Sequence, residues 1–206
     1  MQLYARLSLA LLIAVTFCLL PAALKDSQNL YVAKAMAKEK RLLIAKKKKS
    51  RKKVDDPVVI VATDKGQFQI QIFEEEVPVT AAHFLSLVKD GFYNGLTFHR
   101  YDPRFVIQGG DPTGTGTGGS GKTIPLEVTP KLKHSEIGMV GLARKSDKNS
   151  GSSQFYIILS PRSELDGDYA VFGKVIDGID IVYQLRKGDK MNEVYLEGSG
   201  SKSKTR

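Results

Sequence analysis

The stretch from Phe98 to Gly121 restricts the fold of this 206-residue chain more than any other segment. It holds two short β-prone runs, one ending at Arg100 and one beginning at Phe105, with the turn-forming sequence Tyr101-Asp102-Pro103-Arg104 between them. A long glycine-rich loop follows Gln108, and glycine adopts backbone angles that other residues resist. The stretch therefore predicts two strands joined by a turn, followed by a glycine loop, at the edge of an active site.

Short strands separated by glycine-rich turns account for most of the sequence after residue 57. Phe68, Ile70 and Ile72 alternate with glutamines, a pattern typical of a strand with one solvent-exposed face. Pro78 stands where a first helical turn tolerates proline, and apolar residues at helical spacing follow it until Gly91. The other predicted strands are Val58–Ala62, Thr97–Arg100, Phe105–Gln108, Ile137–Ala143, Gln154–Leu159, Val171–Val175 and Met191–Leu196, and the second predicted helix is Ile179–Leu185. This pattern favours a mainly β fold, a barrel or a sandwich, closed so that few strand edges remain.

Positive charge is concentrated in one segment. Residues 34–53, from Lys34 to Lys53, contain eleven Lys or Arg and one acid, a net charge of +10. The residues before this segment add +1, so the total of +9 leaves about −2 for residues 54–206. The positive charge therefore belongs to a Lys-rich arm or linker, residues 25–56. We place the globular domain, which is nearly neutral, at residues 57–198. Residues 199–206 are polar and basic, and we expect a disordered tail.

The N-terminus carries an apolar segment without charge, from Leu7 to Leu24. Arg6 precedes it and Pro21-Ala22-Ala23 lie near its end, which is the order of residues in a secretory signal peptide. About eighteen apolar residues also reach the lower limit for crossing a bilayer. Residues 1–24 are therefore predicted to be a signal peptide that directs the chain into the secretory pathway or out of the cytoplasm, or alternatively a membrane anchor.

The Lys-rich arm has two interpretations. Blocks of like charge repel each other and stay solvated, which predicts a plain linker. The same charge attracts an anionic membrane surface or nucleic acid, through surface potential or counterion release. No aromatic residue lies between Lys34 and Lys53 to stack on bases, which disfavours sequence-specific nucleic-acid recognition.

The glycine loop matches the letters of two phosphate-binding motifs. Gly116 to Thr123 fits the P-loop pattern, and Gly116, Gly118 and Gly121 fit the dinucleotide fingerprint. Both motifs need a buried strand before the loop and a helix after it. Pro125 follows Thr123 by two residues, and its ring and missing N–H oppose a helix there. We therefore interpret the loop as a bend that borders a groove.

Metal and thiol chemistry are disfavoured as well. The only cysteine, Cys18, lies inside the N-terminal apolar segment, so the globular domain has no disulfide and no thiolate metal site. His83, His99 and His134 have no acid or second histidine at ligand spacing in the sequence. Each of the three histidines is predicted to be structural.

Several separate blocks resemble the cyclophilin-type peptidyl-prolyl cis-trans isomerases, over about residues 57–186 and in the family's order. The blocks are Asn94–Arg100, Phe105–Asp111, Gly114–Gly119, Gly141–Arg144, Ser153–Ile157, Leu165–Gly167 and Val171–Val175. The resemblance implies a closed eight-stranded antiparallel β-barrel capped by two α-helices. It also implies a packed interior and an active groove on the outer surface.

The activity that the resemblance implies is rotation about X–Pro peptide bonds, which assists protein folding. The barrier is ~18–20 kcal/mol because twisting the amide abolishes its resonance. As the bond twists, the proline nitrogen regains its lone pair, so a guanidinium aimed at it stabilises the twisted state more than the planar one. Arg100 is the candidate for this catalytic role, and it stays charged at any working pH. No nucleophile, proton transfer or cofactor is needed.

The resemblance also implies a set of residues around Arg100. Gln108 is implied to hydrogen-bond the substrate backbone or to orient Arg100. The seat of the proline ring and the border of the groove are implied to consist of Phe105, Val106, Ala143, Arg144, Gln154, Tyr156, Leu165 and Tyr169.

Three positions depart from the family's pattern. Tyr156 replaces a phenylalanine of many members, and we expect its hydroxyl to lie at the wet edge of the pocket. Glu164 stands where the best-known members carry a tryptophan that helps bind cyclosporin, and Tyr169 replaces a histidine at the same rim. We therefore do not expect cyclosporin sensitivity to carry over from the family.

The expected partners are proline-containing polypeptides, bound by a monomeric isomerase. One alternative is a module that binds proline-containing segments with little turnover. Another is a tethering protein in which the Lys-rich arm makes the contact and the domain is only a scaffold.

Overall fold

The computed structural model describes residues 56–199. The predicted signal peptide or anchor, the predicted arm except its last residue, and the predicted tail except its first residue lie outside the described residues. Between residues 56 and 199, no helix is both long enough and apolar enough to span a membrane.

Within this range the chain forms eight strands, two α-helices and one short 3₁₀ turn. The strands are β1 (Val58–Thr63), β2 (Gly66–Ile72), β3 (Arg100–Asp102), β4 (Val106–Gly109), β5 (Met139–Leu142), β6 (Phe155–Ile158), β7 (Val171–Asp177) and β8 (Met191–Leu196). The helices are α1 (Pro78–Lys89) and α2 (Ile179–Gln184), and the 3₁₀ turn is Ser163–Leu165.

The hairpin of β1 and β2 has the predicted alternation of buried and exposed residues. Val61 pairs with Phe68 and Val59 with Ile70, so the apolar side chains of both strands lie on one face of the sheet. Phe68, Ile70 and Ile72 are fully buried, whereas the glutamines between them are at least partly exposed. The prediction of a strand with one solvent-exposed face is confirmed.

The eight strands form one antiparallel sheet in the order β3-β4-β6-β5-β7-β2-β1-β8, which curls into a half-barrel. The prediction of a fully closed barrel is wrong, because β3 and β8 are edge strands and do not pair with each other. With three residues, β3 is too short to offer β8 a ladder of hydrogen bonds. The residues that precede the two edge strands make the contact instead: the N–H of Phe98 donates to the carbonyl of Asp189 at 2.9 Å, and the N–H of Gly188 donates to the carbonyl of Phe98 at 2.8 Å.

The strand predicted at Thr97–Arg100 is displaced along the chain. It begins at Arg100 and continues to Asp102, because Phe98 uses its backbone groups to bond residues 188 and 189. The turn is correspondingly tighter than predicted and includes Arg104, which has a left-handed φ of 63°. The Arg104 carbonyl accepts hydrogen bonds from the hydroxyl of Ser160 and the guanidinium of Arg162, which hold this uncommon conformation in place.

Helix α1 packs one apolar face onto the main core. Its Phe84 ring lies 4.8 to 5.6 Å from the rings of Tyr93, Phe155 and Phe172, measured between ring centroids. The helix begins at Pro78 as predicted, without a local side-chain cap. The carboxylate of Glu127, from a distant loop, accepts hydrogen bonds from the first free N–H groups of the helix instead.

Strands β4 and β6 are covered on both faces. On one face, Ile107, Phe155 and Ile157 join the main core. On the other face, Val106 and Tyr156 belong to a second, smaller apolar cluster near the surface. Strands buried on both faces carry consecutive apolar residues instead of an alternating pattern, as β6 does throughout and β4 does at Val106 and Ile107. The second cluster is the base on which the candidate site is built.

Candidate active site

Strand register brings three of the predicted site residues into one row. Arg100 of β3 lies opposite Gln108 of β4, and Gln108 lies opposite Tyr156 of β6. Directly opposed residues in antiparallel strands point to the same face of the sheet. The three side chains therefore share the face that carries the smaller apolar cluster.

A cavity of about 240 Å³ opens on this face. Nine of the ten predicted site residues line it; they are Arg100, Phe105, Val106, Gln108, Ala143, Arg144, Tyr156, Leu165 and Tyr169. The tenth, Gln154, lies directly behind, and its side-chain oxygen accepts a hydrogen bond from Gln108 at 2.8 Å. The cavity lining therefore combines polar side chains, among them Arg100 and Gln108, with apolar ones, among them Phe105 and Leu165.

The Phe105 ring forms one apolar wall and is flanked by two guanidinium groups. The Arg100 guanidinium carbon lies 5.4 Å from the ring centroid, and that of Arg162 lies 4.9 Å from it. Both distances are within the range of cation–π attraction. Of the two arginines, only Arg100 lines the cavity.

Arg100 is held by two neighbours at the mouth of the cavity. Its guanidinium donates to the carboxylate of Asp102 at 3.0 Å and to the side-chain oxygen of Gln108 at 3.4 Å. About half of the side chain, 47%, is exposed to solvent. A guanidinium has five N–H donors, so these two contacts leave further donors for a bound molecule.

A chain of hydrogen bonds fixes the direction in which each amide side chain points. Gln154 donates both N–H groups, to the carbonyls of Gly116 at 3.0 Å and Gly118 at 2.8 Å. Its oxygen is then the acceptor for Gln108, whose own oxygen is left to face Arg100. The glycine loop thereby determines the orientation of the group that contacts Arg100.

The carboxylate of Asp111 organises that loop, and sequence reasoning did not identify it as important. Asp111 is buried and accepts hydrogen bonds from the backbone and hydroxyl of Thr113 and from the N–H groups of Gly116 and Gly118. Burial acts to raise the pKa of Asp111, but the hydrogen bonds of Thr113, Gly118 and Gly116 outweigh it and lower the pKa to about 2. An Asp followed within seven residues by several glycines was the available sequence signal.

The loop also borders a second cavity of about 360 Å³ that adjoins the first. Gln108, Ala143 and Arg144 line both cavities, whereas Gln154 and residues 116–119 line only the second. The loop continues into irregular chain with no helix in residues 119–138. The interpretation of the loop as the border of a groove is confirmed.

Arg144 and Tyr169 form the rim on the opposite side. The Arg144 guanidinium lies 4.6 Å from the centroid of the Tyr169 ring and donates to the carbonyls of Asp168 and Lys145, both at 2.8 Å. Glu164, in the 3₁₀ turn, does not line either cavity. The substituted Tyr169 is therefore part of the cavity wall, and the substituted Glu164 is not.

The expected position of the Tyr156 hydroxyl is wrong. The side chain is 5% exposed, and its hydroxyl bonds to Nε2 of His134 at 2.9 Å, away from the wet edge. His134 is fully buried, and its Nδ1 lies 2.9 Å from the carboxylate of Asp166. The sequence showed no acid near His134 because Asp166 follows it by 32 residues.

The other two histidines lie outside the cavities. Nε2 of His83 is 3.0 Å from the carbonyl of Ser152, and Nδ1 of His99 has no partner among the described residues. Burial lowers the pKa of both histidines. In residues 56–199, no three His, Cys, Asp or Glu side chains lie close enough together to hold a metal ion.

Comparisons with known proteins point to one family. Residues 58–199 match the family described as "Cyclophilin type peptidyl-prolyl cis-trans isomerase/CLD". Peptidyl-prolyl cis-trans isomerase B of Bacillus subtilis (strain 168) is 43% identical over 135 residues, which cover 66% of this chain and 94% of that protein. A peptidyl-prolyl cis-trans isomerase of Helicobacter pylori is 36% identical over 141 residues, covering 68% of this chain and 86% of that protein.

Solved structures agree. The crystal structure of a Cryptosporidium parvum cyclophilin type peptidyl-prolyl cis-trans isomerase matches with a TM-score of 0.66 and 31% identity. The match covers 68% of this chain and 97% of that chain. A second structure of that protein, in the presence of the dipeptide Ala-Pro, matches with a TM-score of 0.64 and 32% identity, over 68% of this chain and 98% of that chain.

Replacing Asp111 by Asn is expected to lower the free energy of unfolding at neutral pH. The folded-state pKa of about 2 lies below the ordinary value of 3.8. The ionised carboxylate therefore stabilises the fold, by about 2 kcal/mol, above about pH 4, and this contribution is lost as the pH falls through about 2. Urea unfolding of the wild type and Asp111→Asn, measured from about pH 7 to about pH 2, should give curves that converge as the pH falls.

The matched control is Asp177→Asn, at an exposed aspartate whose carboxylate accepts no hydrogen bond from the described residues. This variant should differ little from the wild type at any pH. A stability difference between Asp111→Asn and the wild type that stayed constant over the whole pH range would contradict the assignment.

Proposed function

The chain belongs to the cyclophilin-type peptidyl-prolyl cis-trans isomerase family and is a peptidyl-prolyl isomerase, and from this premise we propose that Arg100 is its catalytic group. The substrate is a proline-containing polypeptide whose X–Pro bond lies across the cavity mouth. The reaction forms and breaks no covalent bond. The enzyme has only to bind the twisted amide more tightly than the planar one.

The observation that carries this proposal is the place of Arg100 in the cavity lining, bonded to Gln108 and next to the apolar Phe105 ring. The planar amide nitrogen is a poor hydrogen-bond acceptor because its lone pair is delocalised into the carbonyl. At the twisted state the lone pair returns to the nitrogen, and a guanidinium N–H then donates to it. This interaction exists only at the top of the barrier, so it lowers the barrier without tightening ground-state binding.

Gln108 supports Arg100 in this proposal. One of its N–H groups donates to Gln154, and its oxygen accepts from Arg100. This arrangement favours orientation of Arg100 over the other predicted role, a hydrogen bond to the substrate backbone. Gln154 in turn orients Gln108, because it accepts a hydrogen bond from Gln108 and donates to two carbonyls of the glycine loop.

The apolar part of the cavity lining is the proposed seat of the proline ring. Phe105, Val106, Tyr156 and Leu165 supply its surface. Burial of a pyrrolidine ring against such side chains is favourable at roughly 25 cal/mol for each Å² removed from water. Ala143, Arg144 and Tyr169 border the groove where the residue before the proline would lie. We propose that the domain works as a monomer and needs no cofactor.

Substitution of Arg100 by Ala is expected to lower kcat/KM by roughly 10²- to 10³-fold, because a donor to the twisted amide is lost. Arg100→Lys keeps the charge but loses the planar fork, so its activity should lie between those of the wild type and Arg100→Ala. The measurement is a protease-coupled assay on a short Ala-Pro peptide.

The matched control for this assay is Arg186→Ala. Arg186 also stacks on an aromatic ring, that of Tyr101, but it does not line the cavity. Its replacement should leave kcat/KM nearly unchanged. Equal activities of Arg100→Ala and the wild type would refute the mechanism. Peptide binding by the wild type without acceleration would favour the alternative, a binding module with little turnover.

For localisation we propose the secretory pathway or another site outside the cytoplasm, reached by a cleaved signal peptide at residues 1–24. The support is the order of basic, apolar and small residues in the sequence. The protein isolated from its native cells should therefore begin near Leu24 or Lys25. An intact N-terminus in the membrane fraction would instead establish the alternative, a retained anchor.

For the Lys-rich arm we propose salt-sensitive binding to an anionic membrane surface. Each Lys or Arg near such a surface contributes about 1 kcal/mol, and the segment from Lys34 to Lys53 carries a net charge of +10. A chain of residues 25–206 should sediment with vesicles that contain phosphatidylserine but not with purely zwitterionic vesicles, and added salt should release it.

The control replaces every Lys and Arg of residues 34–53 by Gln, which keeps the length of the arm. This variant should lose vesicle binding and keep its full kcat/KM on the Ala-Pro peptide. Retention of single-stranded RNA or DNA with no retention of anionic vesicles would replace the membrane proposal by nucleic-acid binding.

A further inference from the structure

His134 contacts both Tyr156, which lines the cavity, and Asp166, which follows the 3₁₀ turn Ser163–Leu165. It is fully buried, although the cavity that Tyr156 lines lies one side chain away. Its Nδ1 and its backbone N–H both face the same carboxylate oxygen of Asp166, at 2.9 and 2.8 Å. Its Nε2 faces the Tyr156 hydroxyl at 2.9 Å.

The donors and acceptors of this cluster can be assigned from Asp166. Burial acts to raise the pKa of Asp166, but hydrogen bonds from the backbone and side chain of His134 outweigh it and lower the pKa. An ionised carboxylate only accepts hydrogen bonds, so Nδ1 of His134 carries the proton. In the neutral ring Nε2 is then an acceptor, and the Tyr156 hydroxyl donates to it.

The Tyr156 ring has little freedom to move. It lies across Gly141, its partner on β5, where a Cβ atom would stand 2.4 Å from the hydroxyl oxygen. The Tyr156 and Tyr169 rings pack in a T-shaped arrangement, with ring centroids 6.1 Å apart. His134 is the sole hydrogen-bond partner of the Tyr156 hydroxyl among the described residues.

We propose that His134 and Asp166 are positioning residues of the isomerase, which hold the Tyr156 hydroxyl behind the cavity wall so that the proline ring meets an apolar floor. This inference rests on the proposed function of the cavity. Without the Nε2 acceptor, the buried hydroxyl must find another partner, either a water molecule in the cavity floor or a group reached by a shift of the ring. Either change removes apolar surface from the seat of the proline.

His134 and Asp166 are also connected to the cavity lining through the 3₁₀ turn Ser163–Leu165. Asp166 follows Leu165 directly, and Leu165 is one of the apolar residues that line the cavity. The carbonyl of His134 accepts a hydrogen bond from the N–H of Arg162 at 2.7 Å, at the start of the same 3₁₀ turn. His134 and Asp166 therefore position Tyr156 at the base of the cavity and, through the 3₁₀ turn, Leu165 in its lining.

The test is a double-mutant comparison in the Ala-Pro peptide assay, with kcat and KM measured separately. His134→Leu should lower kcat/KM roughly tenfold, mostly through a higher KM, because the unpartnered hydroxyl disturbs the seat and leaves Arg100 in place. Tyr156→Phe keeps an aromatic ring in the seat, and its own kcat and KM are the reference for the double variant. The double variant His134→Leu/Tyr156→Phe should recover to the level of Tyr156→Phe, because the hydroxyl and its Nε2 partner are removed together and Asp166 keeps the backbone N–H of residue 134.

A double variant no more active than His134→Leu would overturn the proposal, since His134 would then act independently of Tyr156. Unchanged kinetics in His134→Leu would overturn it as well. In both results the wild type is active and sensitive to Arg100→Ala, so failure of this inference is distinguishable from failure of the proposed catalytic role.

A second pair of variants carries the test if His134→Leu does not fold. Asp166→Asn keeps an oxygen acceptor for Nδ1 and should remain within about threefold of the wild type, whereas Asp166→Ala should raise KM as His134→Leu does. Long-range ¹H–¹⁵N spectra should show His134 protonated at Nδ1, and saturation with the Ala-Pro peptide should shift its Nε2 resonance. A proton on Nε2 alone, or equal kinetics in the two Asp166 variants, would contradict the proposal.

Discussion

The register of β3, β4 and β6 is the constraint on which the site depends. It places Arg100, Gln108 and Tyr156 side by side on one face of the sheet. Their neighbours along β4 and β6, among them Ile107 and Ile157, point into the main core. A slip of one residue would move every side chain of a strand to the opposite face. The slip is opposed because it would bring Gln108 into the core and expose Ile107, which is fully buried. The same burial that stabilises the sheet therefore directs Arg100 toward the cavity.

Hydrogen bonds then fix the orientation of the side chains that the strand register brings together. They run from Asp111 through the glycine loop to Gln154, from Gln154 to Gln108, and from Gln108 to Arg100. Each bond assigns the donor and acceptor ends of the next amide, so the guanidinium faces an oxygen and not an N–H group. Catalysis by electrostatic complementarity requires groups that are oriented before the substrate binds. The glycines contribute by allowing the backbone to approach Asp111 from several directions.

Local patterns in the sequence predicted most strands, and the contiguous blocks around Arg100 carried the resemblance to the family, which in turn implied the lining of the cavity. Sequence reasoning missed contacts between residues far apart in the chain. Asp166 and His134 are separated by 32 residues, and the hydroxyl of Tyr156 had no visible partner without that pair. It also predicted a closed barrel, because nothing in the sequence indicated that Phe98 would bond the residues before β8 and leave β3 with three residues.

The ion pair of Arg100 with Asp102 is compatible with a catalytic role because it is weak. Both side chains are nearly half exposed, at 47% and 44%. Exposed pairs of this kind contribute about 0–1 kcal/mol, since water solvates the separated charges almost as well. The guanidinium can therefore turn from the carboxylate toward a twisted amide at little cost in free energy. A fully buried pair would hold the arginine more rigidly, and its separation would leave an uncompensated buried charge.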